Sequence, residues 1–94
     1  MELSTLAKAI KEAAYLEGDF VLSSGKRSRY YLDKYLFSTE PGLLEAIAEA
    51  LSALLPQDFD RLAGVELGAV PLATAVALRT GKPFVIVRKT AKDY

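Results

Sequence analysis

Apolar side chains recur at three- and four-residue spacing from the start of the chain, at Leu3, Leu6, Ala7, Ile10, Ala13 and Ala14, with Lys8, Lys11 and Glu12 between them. The spacing predicts an amphipathic helix ending near Gly18, a residue suited to the left-handed position after a helix. Phe20–Ser23 and Arg29–Leu32 are short runs of strand-favouring residues separated by Ser24-Gly25-Lys26, which predicts a hairpin-like pair. Ser38 and Thr39 then offer a hydroxyl cap, Glu40 an early acid and Pro41 an early proline. Beyond them Leu43, Leu44, Ile47, Ala48, Leu51, Leu54 and Leu55 form one apolar face of a helix reaching Pro56.

The pattern changes in the last third. Arg61–Val65 reads as a buried strand, Pro71 opens a helix that stops at Gly81, and Phe84–Val87 is an apolar run without alternation. Such a run is expected of a parallel strand covered on both faces, so residues 61–87 predict a β-α-β unit. A parallel pair needs further strands and helices on each face, yet the sequence runs only seven residues past Val87. The pattern therefore reads as one incomplete α/β domain over residues 1–94, cut off inside its sheet.

Composition narrows the chemistry. The 94 residues carry 12 basic and 12 acidic side chains, no histidine and no cysteine, with 51% hydrophobic and 10% aromatic residues. That is a folding chain, with no means of making a disulfide, a thiolate or imidazole zinc site, a cysteine nucleophile or a Ser-His-Asp triad. No apolar run approaches a membrane span and the N-terminus lacks a signal-peptide layout, which predicts a cytoplasmic protein with no membrane partner. Zero net charge argues against a general nucleic-acid binder. The charge is nevertheless uneven, at +3 over residues 26–34, −5 over 35–66 and +4 over 79–94. Two basic clusters flanking an acidic stretch suggest a site for a small anion, or simply two solvated surfaces.

In a β-α-β unit the carboxyl ends of parallel strands share one edge, where open α/β sheets bind ligands. The small-residue loop Glu66–Val70 and the basic run Arg88-Lys89-Thr90-Ala91-Lys92 both fall there. Backbone donors beside three cations suit a phosphate or pyrophosphate, although an ordinary turn followed by a soluble tail explains the same residues. The loop matches neither of the common glycine-rich nucleotide fingerprints. Glu66 is a base, a metal partner or a cap, and Tyr30, Tyr31 and Asp33 near Lys26, Arg27 and Arg29 either stack on a flat ring or pack across strands.

Four segments taken together, Phe20–Gly25, Ser28–Asp33, Gly64–Pro71 and Val87–Lys92, resemble the orotate phosphoribosyltransferases, and the resemblance covers Leu16 to Tyr94. It implies the N-terminal portion of a type I phosphoribosyltransferase fold: a helix, a β-hairpin hood over about residues 18–36, a helix, and the start of a parallel sheet core over about residues 60–94. The implied reaction is transfer of a phosphoribosyl group from 5-phosphoribosyl diphosphate to orotate in pyrimidine biosynthesis, giving orotidine 5′-monophosphate and pyrophosphate. Mg²⁺ would be held through the diphosphate, with no metal ligands from the chain, in a cytoplasmic homodimer.

By the same resemblance Leu67 and Gly68 match the pyrophosphate loop, Arg88 and Lys89 the diphosphate-binding pair, and Lys92 the catalytic lysine of a mobile loop. Tyr31 and Leu32 match positions against the orotate ring. Ser23 stands where many members carry lysine, Gly68 where some do, and Tyr94 where histidine is common. The family's acidic, Thr/Gly-rich phosphoribosyl diphosphate motif and its orotate-specific arginine have no counterpart in these 94 residues, so the chain alone is expected to be inactive. The alternative is a non-catalytic relative that binds a phosphoribosyl compound or nucleotide in a regulatory role.

Overall fold

The computed structural model describes residues 1–91. Its first helix, α1, spans Leu3–Ala14 and buries Leu6 and Ala14. It ends four residues earlier than the spacing predicts, because Tyr15 already has extended backbone angles, φ −77° and ψ 123°. Gly18 is therefore not a helix terminator and has no positive φ. It lies inside strand β1, Tyr15–Val21, which pairs antiparallel with β2, Arg27–Leu32. Glu17 faces Tyr30 and Phe20 faces Ser28, so β1 carries one extra residue at Gly18-Asp19 and bulges there. The Phe20 ring explains the glycine, since a Cβ on Gly18 would stand 3.2 Å from it.

The predicted turn is where the spacing placed it. The Leu22 amide donates to the Lys26 carbonyl at 2.8 Å, and Gly25 closes the turn at φ 86°, a conformation glycine adopts without a steric penalty. The hairpin's aromatic rings pack across the strands, Tyr15 stacked on Tyr30 at 5.8 Å and Phe20 tilted against Tyr31 at 5.7 Å.

A short helix that the periodicity does not predict, α2 at Lys34–Ser38, follows β2; the Asp33 carboxylate caps it by accepting from the Tyr35 amide at 3.0 Å. The next helix, α3, spans Pro41–Leu54, and its cap is Glu40 rather than Ser38 or Thr39. The Glu40 carboxylate accepts from the amides of Gly42 and Leu43 at 3.1 and 2.8 Å, where the positive end of the helix favours an anion. Thr39 instead donates its hydroxyl to the Tyr35 carbonyl, and Ser38 is buried with no partner for its hydroxyl among the described residues.

Strand β3, Leu62–Val65, and strand β4, Phe84–Val87, run parallel with Leu62 opposite Phe84 and Val65 opposite Val87. Helix α4, Val70–Thr80, joins them and ends at Gly81, the predicted stop, whose φ of 74° makes it a left-handed cap. The core lies where α1, α3 and α4 meet, at Leu6, Ala14, Ile47, Ala48, Ala73 and Val76. Among the described residues α4 is the helix packed on β3 and β4, so the expectation of a β4 covered on both faces is not met. Val85, Ile86 and Val87 remain 45, 56 and 41% exposed. The molecule is a slab 21 Å thick with a radius of gyration of 15.3 Å, against about 12 Å for a compact domain of this length.

Gly64 sets how closely α4 approaches the sheet. A Cβ there would stand 2.8 Å from the Ala73 Cβ and 3.2 Å from the Ala69 carbonyl oxygen. Gly64→Ala is therefore expected to destabilise the fold by about 1–3 kcal/mol through overpacking. Adding Ala73→Gly should return part of that loss although it places a glycine in a helix, since neighbouring substitutions couple. Urea unfolding of the three variants checks this, and strictly additive losses would place the clash elsewhere.

Candidate functional site

The loop between β3 and α4 is held at both ends by the sheet and the helix. The Glu66 amide donates to the Val87 carbonyl at 2.9 Å, extending the parallel ladder by one bond, and the Ala69 amide donates to Val65 at 3.2 Å. The Val70 amide donates to Leu67 at 3.0 Å and the Ala73 amide to Ala69 at 2.9 Å. This leaves the amides of Leu67 and Gly68 without a backbone or side-chain acceptor among the described residues. Of the five loop residues with which sequence reasoning frames the site, the donors open to a ligand are thus the second and third, just before Ala69, the N-cap of α4.

Arg88 and Lys89 leave β4 beside this loop, and both are exposed. Glu66 anchors them through the backbone: its Oε1 accepts from the Lys89 amide at 2.5 Å. One carboxylate oxygen is thereby engaged by a main-chain donor, and Glu66 forms no ion pair with the heads of Arg88 or Lys89 among the described residues. Glu66–Lys89 is also the bond that brings the two sequence-predicted segments together. Lys92 lies outside the described residues.

Tyr31 and Leu32 sit on the hairpin. Tyr31 lines a groove of about 650 Å³ with Leu16, Phe20, Leu22, Ser23 and Asp33, a lining that includes none of Leu67, Gly68, Arg88 and Lys89. Leu32 is 48% exposed opposite Tyr15. Within the described residues the aromatic pair and the basic segment therefore occupy separate places. The hairpin cations are also dispersed, with Arg27 3.9 Å from Asp19 on the outer surface.

One residue of that cluster does reach the loop, and sequence reasoning did not single it out. Lys34, the first residue of α2, passes directly over Gly68, with its ammonium 5.2 Å from the centre of the Tyr35 ring. The available signal was the +3 balance of residues 26–34, but without α2 nothing in the spacing aims Lys34 away from the hairpin.

No family model matches the chain. The orotate phosphoribosyltransferase of Archaeoglobus fulgidus is 53% identical over 96 residues, which takes in 100% of this chain and 54% of that protein. The chain is a homologue of the orotate phosphoribosyltransferases. Its fold agrees with theirs: the crystal structure of the Aeropyrum pernix orotate phosphoribosyltransferase superposes with a TM-score of 0.75 at 38% identity, over 88% of this chain and 52% of that one. The Mycobacterium tuberculosis orotate phosphoribosyltransferase in complex with 5-phospho-α-D-ribosyl 1-diphosphate gives 0.74 at 27% identity, over 95% and 54%. The chain spans about half the length of the curated relatives it matches, in keeping with an N-terminal portion.

Proposed function

We propose that this chain forms the pyrophosphate side of an orotate phosphoribosyltransferase site, and that the complete protein transfers the phosphoribosyl group of 5-phosphoribosyl diphosphate to orotate. The observation that carries the reading is the meeting of two unpartnered amides, Leu67 and Gly68, with Arg88 and Lys89 at one sheet edge, joined by the Glu66–Lys89 bond. In the transfer, a ring nitrogen of orotate bonds to the ribose anomeric carbon as that carbon's bond to the diphosphate oxygen breaks; the electron pair leaves on pyrophosphate, and the proton the nitrogen carried passes to water or to the departing pyrophosphate. Amides and cations gathered at this edge would stabilise the charge developing on that oxygen. Lys92 is the further cation the family resemblance assigns to this step, and Tyr31 and Leu32 are assigned the face of the orotate ring. The 650 Å³ groove beside Tyr31 has room for a flat ring, and the hairpin would have to present it towards the loop.

The donor set fits Mg²⁺ carried by the substrate. Among the described residues no three acidic, histidine or cysteine side chains gather into a metal site, and Glu66 is engaged by Lys89. Mg²⁺ keeps several waters and is commonly held by substrate phosphates, so when bound on the diphosphate it would add charge neutralisation while the chain contributes amides and cations. The reading further assigns the protein to pyrimidine biosynthesis in the cytoplasm, as a homodimer. No helix among the described residues is long and apolar enough to cross a membrane.

Arg88 offers the direct test. Its planar fork can hold two phosphate oxygens, which an ammonium cannot. Titration of pyrophosphate with Mg²⁺ into the full-length protein carrying this sequence should show Arg88→Lys weakening binding by about 1–3 kcal/mol, as for a charged hydrogen bond. An exposed tail would change by no more than about 0.5 kcal/mol. Equal affinities would remove Arg88 from the site.

A further inference from the structure

Gly68 lies directly under a flexible side chain. Its φ is not positive, unlike those of Gly25 and Gly81, so backbone conformation does not demand it. What a side chain would meet is Lys34: a Cβ on residue 68 would stand 2.2 Å from Lys34 Cε, 2.8 Å from Cδ and 3.4 Å from Nζ. The lysine stem thus lies on the loop backbone, and its ammonium is held beside one of the two amides that have no acceptor.

No carboxylate among the described residues lies within ion-pair distance of the Lys34 ammonium. The carboxylate–cation pairs among the described residues are Arg27 with Asp19 and Arg79 with Glu49, neither of which includes Lys34. The adjacent carboxylate, Asp33, accepts from the Tyr35 amide through Oδ1. The Tyr35 ring, 5.2 Å from Nζ, steadies the ammonium without neutralising it. A cation without a carboxylate partner, laid over a loop whose amides have no acceptor, is an arrangement an anion completes.

We propose that Lys34 is a further diphosphate-binding residue, reaching the loop from α2, and that Gly68 is there to let it pass. The inference rests on the diphosphate reading above and goes beyond it, in that the binding cation comes from the segment leaving the hairpin. It also links the two separated places, because Lys34 lies two residues after Leu32. An anion seated on Leu67 and Gly68 would draw on the chain that continues directly from β2.

The test is titration of pyrophosphate with Mg²⁺ into the full-length protein carrying this sequence and into its Lys34→Met, Lys34→Arg, Gly68→Ala and Lys34→Met/Gly68→Ala forms. Thermal unfolding of each confirms that this exposed position leaves the fold intact. Lys34→Met should weaken pyrophosphate about three- to tenfold, between the effect of an exposed ion pair and that of a charged hydrogen bond. Lys34→Arg should retain most of the affinity. The wild-type to Lys34→Met ratio should shrink in about 1 M salt, where screening reaches only about 3 Å. Gly68→Ala displaces the flexible ammonium and should weaken binding in the wild type yet add nothing in the Lys34→Met background.

Equal binding by wild type and Lys34→Met would overturn the inference and leave the diphosphate reading standing. An equal loss from Gly68→Ala in both backgrounds would overturn it too, by showing that the glycine serves the ligand's approach directly. Absence of pyrophosphate binding by the wild type would overturn the diphosphate reading, and Lys34 with it.

Discussion

Incubated with orotate, Mg²⁺ and 5-phosphoribosyl diphosphate, the 94 residues on their own are expected to form no measurable orotidine 5′-monophosphate. Transfer requires the anomeric carbon to be held between a ring nitrogen and a leaving oxygen, and much of an enzyme's advantage comes from fixing such groups within reach of one another. Under the proposed function the loop and basic run would serve the leaving group, and no described residue is assigned to hold the ribose. Leu67 is 65% exposed, Arg88 and Lys89 are exposed, and Tyr31 lines a different groove, so the loop faces water on a slab 21 Å thick. Cations in that setting bind weakly and are screened. Nothing in the 94 residues supplies the acidic Thr/Gly-rich cradle that the family resemblance assigns to the ribose phosphate. The check is product formation followed by ultraviolet absorbance, with the full-length protein as the positive arm. Turnover by the short chain at roughly 1–1000 per second, the range of ordinary enzymes, would overturn the assignment of the missing half of the site.

In the full-length protein, Lys92→Ala should lower kcat by about 10²–10³-fold, the scale of losing one preorganised donor to a developing anion. The expectation comes from the role the resemblance gives Lys92 and from the chemistry of that role. A cation that meets the pyrophosphate oxygen mainly as its bond to carbon breaks stabilises the transition state more than the bound substrate. Its loss then appears in kcat and in kcat/KM together, with KM little changed. Arg88 is expected to differ: as a side chain fixed just after β4 it would meet the diphosphate in the ground state as well, so its loss should raise KM. Steady-state kinetics of the two variants side by side separate the roles. A tenfold rise in KM for Lys92→Ala with kcat unchanged would make Lys92 a binding residue only.

The parts of this fold legible in the sequence are those whose signal is local. The parallel strand Phe84–Val87 and the helix stop at Gly81 are legible at the positions observed, because an unbroken apolar run and a glycine that closes a proline-opened helix are both local signals. The body of α3 was legible for the same reason. The misplaced end of α1 shows the converse: Leu16 continues the helical stripe, so spacing alone cannot reveal that Tyr15 pairs with Leu32 seventeen residues on. Ser38 and Thr39 look like a cap in the sequence because α2, five residues long, is too short to show a period; once it forms, Ser38 ends it, Thr39 is its C-cap and Glu40 caps α3.

At the candidate site the loop and the basic run were legible as neighbours, since parallel strands fix which ends share an edge. The Glu66–Lys89 bond and the Lys34–Gly68 contact were not. Both depend on where side chains separated by 23 and 34 residues come to rest, which no periodicity encodes.

Strand β4 lies at an open edge of its sheet. With β3 on one side and, among the described residues, no strand on the other, one row of its main-chain donors and acceptors is left for water or for another extended segment to satisfy. Phe84-Val85-Ile86-Val87 contains no charge and no proline, the two devices that usually blunt such an edge. Competition for that row turns on effective concentration. A strand tethered to the same polypeptide by a short linker presents itself at roughly millimolar levels, whereas a second copy must reach that level in solution. The same backbone edge therefore sorts its partners by tether length, extending the sheet within one chain when a strand is attached and recruiting a neighbour when none is.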